Sequence, residues 1–305
     1  MPILRVSIPG VLSACIALSI VAAPARAATP DDVFDGDRAF AHLRAQCRFG
    51  PRAPDSEGHS LCFDWITSVC RQLNLETTHQ AFLAYIPLIQ KTVRLKNIVA
   101  IQQPKNPRRV MLSAHWDTRP VADWESSPAR RQPILGANDG ASGVAVLLEL
   151  ARVLQSQPLD VGVIYVFFDG EDSGQGSNES YCLGSQYLAD HLPWAWEFEK
   201  GINLDMVGDR DLSIPIEGYS WEKARTLAIS FSEVAVKLFP RVFRNEPGER
   251  IFDDHVPFLN RGKPYIDLID FDYPHWHTLA DTEDKCSARS LEQVGRAVAR
   301  FVLSQ

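Results

Sequence analysis

The amino-acid sequence predicts an α/β fold in which a mostly parallel sheet is covered by helices on both faces. One observation is that apolar strands alternate with amphipathic helices from about residue 110 to the end of the chain. A second is that His115, Asp172 and Asp205 each follow closely on a predicted strand. Near-continuous apolar strands are typical of parallel sheets that are buried on both faces. Because ligand sites in such sheets lie outside the carboxyl ends of the strands, we expect these side chains to meet there.

The predicted elements follow one another along the chain. Apolar periodicity predicts helices over residues 31–47, 61–73, 141–154, 181–191, 221–239 and 291–303. It predicts strands near residues 78–82, 95–101, 110–114, 161–168, 202–206 and 265–269. Since no internal repeat or Pro/Ser-rich linker marks a boundary, we expect residues 28–305 to form a single catalytic domain.

The composition limits the kinds of partner. The 305-residue chain is 45% hydrophobic and 23% charged, which is ordinary for a globular protein. Its formal net charge is −7, and it has no run of basic residues. Nucleic acids and anionic membrane surfaces are bound through clustered Lys and Arg side chains, so we expect neither as a partner. We expect a monomer.

The first 27 residues are predicted to be a signal peptide and not part of the fold. A positively charged start is followed by apolar residues 11–23 and by a small-x-small cleavage site at residues 25–27. Cleavage after Ala27 would send the protein to the periplasm or the medium without a membrane anchor. A transmembrane span would need roughly 20 apolar residues, more than this run provides. A lipobox ending at Cys15 is the alternative, but the apolar run continues past that cysteine.

Export would permit disulfide bonds. The chain after residue 27 contains an odd number of cysteines, so at least one thiol stays unpaired within it. Cys62 and Cys70 lie about 12 Å apart on one predicted helix, too far to form a disulfide. No spacing among the cysteines predicts a zinc site, none of them looks catalytic, and their pairing is left open. The five are Cys47, Cys62, Cys70, Cys182 and Cys286.

Two carboxylates and one imidazole are the candidate metal ligands. Asp139, Asp172 and His277 match a catalytic zinc site that keeps one position open, and glycines beside Asp139 would let the backbone approach a metal. Glu171 is the candidate general base next to them. There are alternatives for each ligand. Asp139 could cap the following helix, the acids after the strand could be solvated loop residues, and His275 could replace His277.

A second group of polar residues could extend the site. His115 and Asp117 could complete a second metal site together with Asp205. In the cluster at residues 253–255, Asp254 is expected to cap a short helix, whereas Asp253 is expected to point into the site.

The order of these residues resembles a known family. The chain is similar to the M28 family of zinc aminopeptidases and their relatives in its site residues, which run His115-x-Asp117, Asp139, Glu171-Asp172, Asp205, His277. Within that family it most closely resembles the animal-type (type II) glutaminyl cyclases in their bacterial form. Two features support the narrower resemblance. An acid, Asp253, precedes Asp254-His255 where the aminopeptidases commonly have Ser, and Trp276 directly precedes His277.

The resemblance implies a three-layer α/β/α sandwich with a mixed, mainly parallel central sheet. It also implies one zinc per chain, with Glu171 as the acid/base. The implied roles of the other residues are metal ligation by Asp139, Asp172 and His277, hydrogen bonding to Glu171 by Asp205 and Asp253, and substrate binding by Trp276 and Tyr273. This chain departs from the animal enzymes in having Asp172 where they have Glu, no indole in the loop that follows, and Ala114 in place of a disulfide cysteine.

The implied activity is cyclisation of an N-terminal glutamine of a peptide or protein to pyroglutamate, with release of ammonia. The alternative is a zinc aminopeptidase that removes N-terminal residues, since the side chains for two metals are all present. Charge favours the cyclase. With one zinc, Asp205 would be a buried carboxylate without a metal, and Asp253 beside it could share a proton with it and with Glu171.

Overall fold

The computed structural model describes Pro2 and residues 33–305. Apart from Pro2, the predicted signal peptide, its cleavage after Ala27 and the alternative lipobox cysteine Cys15 lie outside the described residues. Within the described part of the chain, no helix has both the length and the apolar character that a membrane span requires.

A six-stranded sheet forms the centre of the protein. The strands of the described part of the chain, including two outside this sheet, are β1 (Glu76–Ile86), β2 (Lys91–Gln102), β3 (Arg109–His115), β4 (Gly162–Phe168), β5 (Lys200–Asp205), β6 (Ile214–Ile216), β7 (Phe243–Pro247) and β8 (Tyr265–Ile269). The central sheet has the order β1–β2–β4–β3–β5–β8, and β6 pairs separately with β7. The pairs β1–β2 and β2–β4 are antiparallel, whereas β4–β3, β3–β5 and β5–β8 are parallel. The expectation of a mixed, mainly parallel sheet is confirmed.

Helices cover both faces of this sheet, as the predicted three-layer sandwich requires. They are α1 (Gly36–Cys47), α2 (Glu57–Gln72), α3 (Ala141–Gln155), α4 (Leu183–Asp190), α5 (Gly218–Lys223), α6 (Arg225–Leu238), α7 (Val256–Leu259) and α8 (Ala288–Leu303). Every residue of the central strand β4 is buried. Because successive side chains of a strand point to opposite faces, burial of all of them means that both faces are covered. Helices α1, α3 and α8 pack on one another, and α4 packs on β1, β2 and α7.

The parallel strands bring the candidate site residues to one edge. The strands β3, β4, β5 and β8 run in the same direction, so their carboxyl ends and the loops that follow lie together. His115 ends β3 and Asp205 ends β5. The acids at 171–172 follow β4, and His277 lies in the loop after β8.

The main differences from the sequence-based prediction are one split helix, the start of α1 and two additional strands. The helix expected over 221–239 is two helices that meet at Ala224, because Glu217 accepts from the backbone N–H groups of Tyr219 and Ser220 and starts a separate first helix there. Helix α1 begins at Gly36, after its cap Asp35. Strands β6 and β7 were not expected, since β7 is mostly exposed and lacks apolar alternation.

Candidate active site

A cavity of about 400 Å³ opens at the carboxyl edge of the parallel strands. Its lining includes both acidic and aromatic side chains. His115, Asp117 and Tyr273 are not among its lining residues. The predicted site residues that do line it are Asp139, Glu171, Asp172, Asp205, Asp253, Trp276 and His277.

The three predicted metal ligands lie together. Asp139, Asp172 and His277 are buried, and each offers one ligand atom within 4.8 Å of the others. His277 Nε2 lies 3.1 Å from Asp172 Oδ1 and 3.8 Å from Asp139 Oδ2. Ligand atoms about 2.0–2.2 Å from zinc in a tetrahedron lie about 3.3–3.6 Å apart, so this spacing suits that ion. The second oxygen, Oδ2, of each Asp is buried without a hydrogen-bond partner, which is costly unless a cation binds there. The donors therefore fit zinc.

The loop that carries Asp139 is held by another acid that the sequence analysis did not single out. Asp281 accepts hydrogen bonds from the backbone N–H groups of Asn138 (2.8 Å) and Asp139 (3.1 Å). The Tyr273 hydroxyl donates to the same carboxylate at 2.8 Å. Tyr273 is therefore buried behind the site and is not brought into the cavity as expected, because its hydroxyl needs a buried acceptor. Asp139 does not cap α3, whose N-cap is Gly140 without a side-chain hydrogen bond.

Close packing around this loop explains the glycine beside it and a buried arginine. Gly136 has a φ of +63°, and a Cβ there would lie 2.3 Å from the carbonyl oxygen of Asp139. Arg52 is fully buried and donates to the carbonyl oxygens of Trp116, Leu135 and Gly136. Contacts within the protein therefore hold the loop that carries Asp139 in place.

A buried ion pair connects the other two ligands. Arg119 donates through Nη1 to Asp172 Oδ1 at 3.1 Å and through Nε and Nη2 to both oxygens of Asp123. Asp123 Oδ1 lies 3.2 Å from His277 Nδ1, which leaves Nε2 facing the other ligands. Burial alone would lower the pKa of His277, but the carboxylates of Asp172 and Asp123 raise it to about 9. Arg119 and Asp123 were missed because nothing in their local sequence indicates this long-range contact.

The second metal site expected from the sequence has a different composition. His115 Nε2 lies 3.1 Å from both Asp139 Oδ1 and Asp205 Oδ1, and these three residues form a group of potential ligands. Asp117 is not part of that group. Its carboxylate instead accepts from the backbone N–H groups of Glu171 (3.1 Å) and Asp172 (3.3 Å). An acid that follows a strand can satisfy the next loop's backbone as readily as a metal, and here it orients the acidic loop.

Glu171 lies deep in the cavity wall. It is 9% exposed, and its Oε1 accepts from the thiol of Cys182 at 3.3 Å. Burial raises the pKa of Glu171 well above its usual value, with the Asp253 carboxylate adding to the effect and His115 opposing it. A carboxyl whose pKa is raised in this way suits a group that both accepts and returns a proton. Cys182 was not expected to take part.

Asp253 faces the cavity, as expected. Oxygens of Asp253 and Glu171 and the sulfur of Cys182 lie within 4.8 Å of one another. Asn203 donates to Asp253 Oδ1 at 3.0 Å and to Asp267 Oδ1 at 3.1 Å, so the carboxylate is held from behind. Burial, and then the neighbouring Asp205, raise the pKa of Asp253 to about 7. Asp254 is fully buried, but the short helix α7 has no side-chain cap.

Aromatic side chains form another part of the cavity wall. The Trp276 ring stacks on the His277 ring with their centroids 3.7 Å apart, and Tyr181 and Phe271 line the cavity as well. Tyr181 supplies a ring on the side where the loop after Asp172 lacks an indole. The alternative ligand His275 lies against Tyr273 at 5.4 Å and is outside the metal-ligand groups among the described residues.

The five cysteines of the described chain are all buried and none forms a disulfide there. Ala114, which replaces a cysteine of the animal enzymes, is buried in β3.

Comparison with known proteins gives one family. The model of peptidase family M28 matches residues 97–302. In the crystal structure of Porphyromonas gingivalis glutaminyl cyclase, the chain is 36% identical to this one, with a TM-score of 0.84 over 88% of this chain and 98% of that one. The glutaminyl-peptide cyclotransferase of Drosophila melanogaster is 28% identical over 83% of this chain and 77% of its own.

A peptidase is also among the relatives. Aminopeptidase YwaD of Bacillus subtilis (strain 168) is 33% identical over 68% of this chain, but this chain spans only 44% of that relative's length. The resemblance to the bacterial glutaminyl cyclases and to the wider family is confirmed by these matches. The chain belongs to peptidase family M28.

Proposed function

We propose that the protein is a zinc-dependent glutaminyl-peptide cyclotransferase, which converts the N-terminal glutamine of peptides or proteins to pyroglutamate and releases ammonia. The observation that carries this proposal is Asp253, a buried carboxyl group in the cavity wall beside Glu171. A hydrolase with two metals has less need of a further acid there, whereas a cyclase must move a proton from an amine to a departing ammonia. The likeness to bacterial glutaminyl cyclases over nearly their whole length supports the same reading.

One zinc per chain would be held by Asp139, Asp172 and His277. When bound, zinc polarises a carbonyl group of the substrate as a Lewis acid. His115 Nε2 lies 3.1 Å from Asp205 Oδ1, and this contact favours one zinc ion per chain over two. The imidazole supplies a hydrogen-bond partner to this carboxylate, so no second cation is needed to satisfy it.

The chain's own residues would manage one proton. Glu171 accepts it from the substrate's α-amine, whose ordinary pKa of about 7.7–8.0 leaves part of it neutral already. The amine nitrogen then forms a bond to the γ-carbonyl carbon, which closes a five-membered lactam. The bond from that carbon to the side-chain nitrogen breaks, and Glu171 returns the proton to the departing ammonia. The neighbouring carboxyl groups of Asp205 and Asp253 disfavour a negative charge on Glu171. The aromatic wall at Trp276 excludes water from the reacting atoms.

A zinc aminopeptidase is the second candidate. The observation that favours it is the second ligand group of His115, Asp139 and Asp205, which shares Asp139 with the first. His115, Asp139 and Asp205 would hold the second ion, and the chemistry that it would supply is activation of a water molecule for peptide hydrolysis.

One experiment separates the two activities. The purified, zinc-loaded protein is incubated with Gln-peptides and with Leu-p-nitroanilide, and ammonia and nitroaniline are measured separately. Ammonia release without nitroaniline supports the cyclase. Nitroaniline release, with no ammonia from the Gln-peptides, would assign the peptidase instead.

The cellular setting is part of the proposal. Residues 1–27 would be removed as a signal peptide, and residues 28–305 would act as one domain and a monomer in the periplasm or the medium. N-terminal sequencing of the exported protein should begin at Ala28, and sedimentation should give the mass of a single chain.

A further inference from the structure

An exposed tryptophan lies just outside the cavity. Trp124 is 68% exposed, and its ring centroid lies 5.3 Å from that of Trp276, a residue of the cavity wall. The Trp276 ring centroid also lies 5.1 Å from that of Phe271, which is 37% exposed. The three rings form a continuous aromatic strip that begins in the cavity and ends on the surface.

The backbone at Trp124 is fixed to the site by its own hydrogen bond and by those of both its neighbours. Its N–H donates to the carbonyl oxygen of His277 at 3.3 Å. Asp123 before it binds the imidazole of His277, and Glu125 after it accepts from the backbone N–H of Leu279 at 3.1 Å. The position of the ring is therefore determined by the same segment that carries the metal ligand, and a large apolar ring held this way at a cavity mouth is typical of a binding surface.

We propose that Trp124 is the outer subsite of the active site and binds an apolar side chain of the residue that follows the N-terminal glutamine. This proposal rests on the proposed cyclase activity. The glutamine fills the cavity beside Trp276, and the next residue of an extended peptide lies about 3.3–3.6 Å further along. Trp124 lies close enough to contact that residue, since its ring centroid is 5.3 Å from that of Trp276. An aromatic or large aliphatic side chain is the occupant, because it buries apolar area against the indole and an aromatic pair contributes beyond that area.

The test compares Gln-Phe-Ala-amide with Gln-Gly-Ala-amide by ammonia release, using the zinc-loaded protein. We expect the parent to prefer the Phe peptide in kcat/KM by about three- to tenfold, the size of a typical aromatic pair contribution, and mainly through KM. In Trp124→Ala the ratio should fall to near one, because only the Phe peptide has a side chain that loses its contact. Trp124→Phe should keep most of the preference.

A matched control and a binding measurement complete the design. Trp194 is even more exposed, at 86%, and lies in a turn before β5, at the opposite edge of the sheet, so Trp194→Ala should keep the parent ratio. Calorimetric binding of both peptides to Glu171→Gln gives the preference without turnover.

An unchanged ratio in Trp124→Ala, or an equal loss with both peptides, would overturn the subsite. Selective binding without ammonia release in the parent would overturn only the cyclase activity. If the true occupant is a second copy of the chain, the parent should form dimers, Trp124→Ala should abolish them, and neither peptide should be preferred.

Discussion

The thiol of Cys182 lies 3.3 Å from Oε1 of Glu171 and is the side chain that donates to this carboxylate. Burial, and next the negative charge of Glu171, raise the pKa of Cys182 well above its ordinary value, so the sulfur keeps its proton. Cys182 also has a φ of +51°, a left-handed conformation that is uncommon for a residue with a side chain. The backbone thus holds the thiol against the proposed acid/base.

Removing this thiol should slow turnover without unfolding the protein. In Cys182→Ala we expect kcat to fall by about three- to tenfold, the value of one hydrogen bond, with KM little changed. Cys182→Ser keeps a donor and should recover most of the rate. Ala keeps a Cβ and so the same steric restriction at this φ. Equal activity in Cys182→Ala and the parent would show that the thiol only fills space.

Glu171→Gln should keep zinc and the fold but lose nearly all turnover. It removes a proton acceptor from a buried position without removing a metal ligand, and general acid–base groups contribute on the order of 10²–10⁴-fold. Steady-state ammonia release measures the loss. Glu249→Gln, an exposed acid at the mouth of the same cavity, is the control for charge alone. A kcat/KM within a few-fold of the parent would remove Glu171 as the base.

Asp253→Asn should reduce cyclisation sharply and leave zinc content unchanged. The amide has the same size but cannot share a proton with Glu171 and Asp205, so the pH–rate profile should change shape. Normal cyclisation with an unchanged profile would remove the main argument for the cyclase over the peptidase.

The same substitution has a pH signature in stability. The pKa of Asp253 is raised from 3.8 to about 7 in the folded protein, so the folded state binds the proton more tightly than the unfolded state. The metal-free parent should therefore lose unfolding free energy as the pH rises from about 4 to about 7. Asp253→Asn lacks this contribution, and its stability relative to the parent should increase over that range. Denaturant melts at several pH values measure the difference, which a surface-exposed Asp253 would not produce.

Arg119→Lys should weaken zinc binding while the protein stays folded. Lys cannot bind Asp172 and both oxygens of Asp123 in one planar arrangement, so Asp172 and His277 lose their common support. Residues that orient metal ligands typically contribute about 10–100-fold in affinity. Chelator competition measures this. Arg152→Lys, which alters a remote ion pair with Glu149, should leave the zinc affinity unchanged.

Metal analysis after dialysis should give close to one zinc per chain. His277→Ala should abolish binding because it removes the only imidazole of the first ligand group. His115→Ala should retain the ion. A stable ratio near two that falls to one in His115→Ala would move the assignment to the peptidases.

The sequence by itself determined the type of fold and the chemistry of the ligand donors. Apolar strands that alternate with helices predict a parallel sheet covered on both faces, because a strand such as β4 is apolar at nearly every position when both of its faces are buried. Acids and histidines placed just after strands were bound to gather at one edge. Asp172 could be placed for that reason, whereas Asp139 and His277 were named from their residue types, their neighbours in the sequence and the family resemblance.

Only the tertiary structure decided what surrounds those ligands. Asp117 satisfies backbone N–H groups 54 and 55 residues away, and Tyr273 turns away from the cavity to donate to Asp281. Arg119 contacts Asp172 and Trp124 contacts His277 across distant parts of the chain, and the contact of Cys182 with Glu171 depends on how the loop between them folds. Such partners are chosen by packing and by the need of each buried polar group for a partner, and neither periodicity nor spacing carries that information.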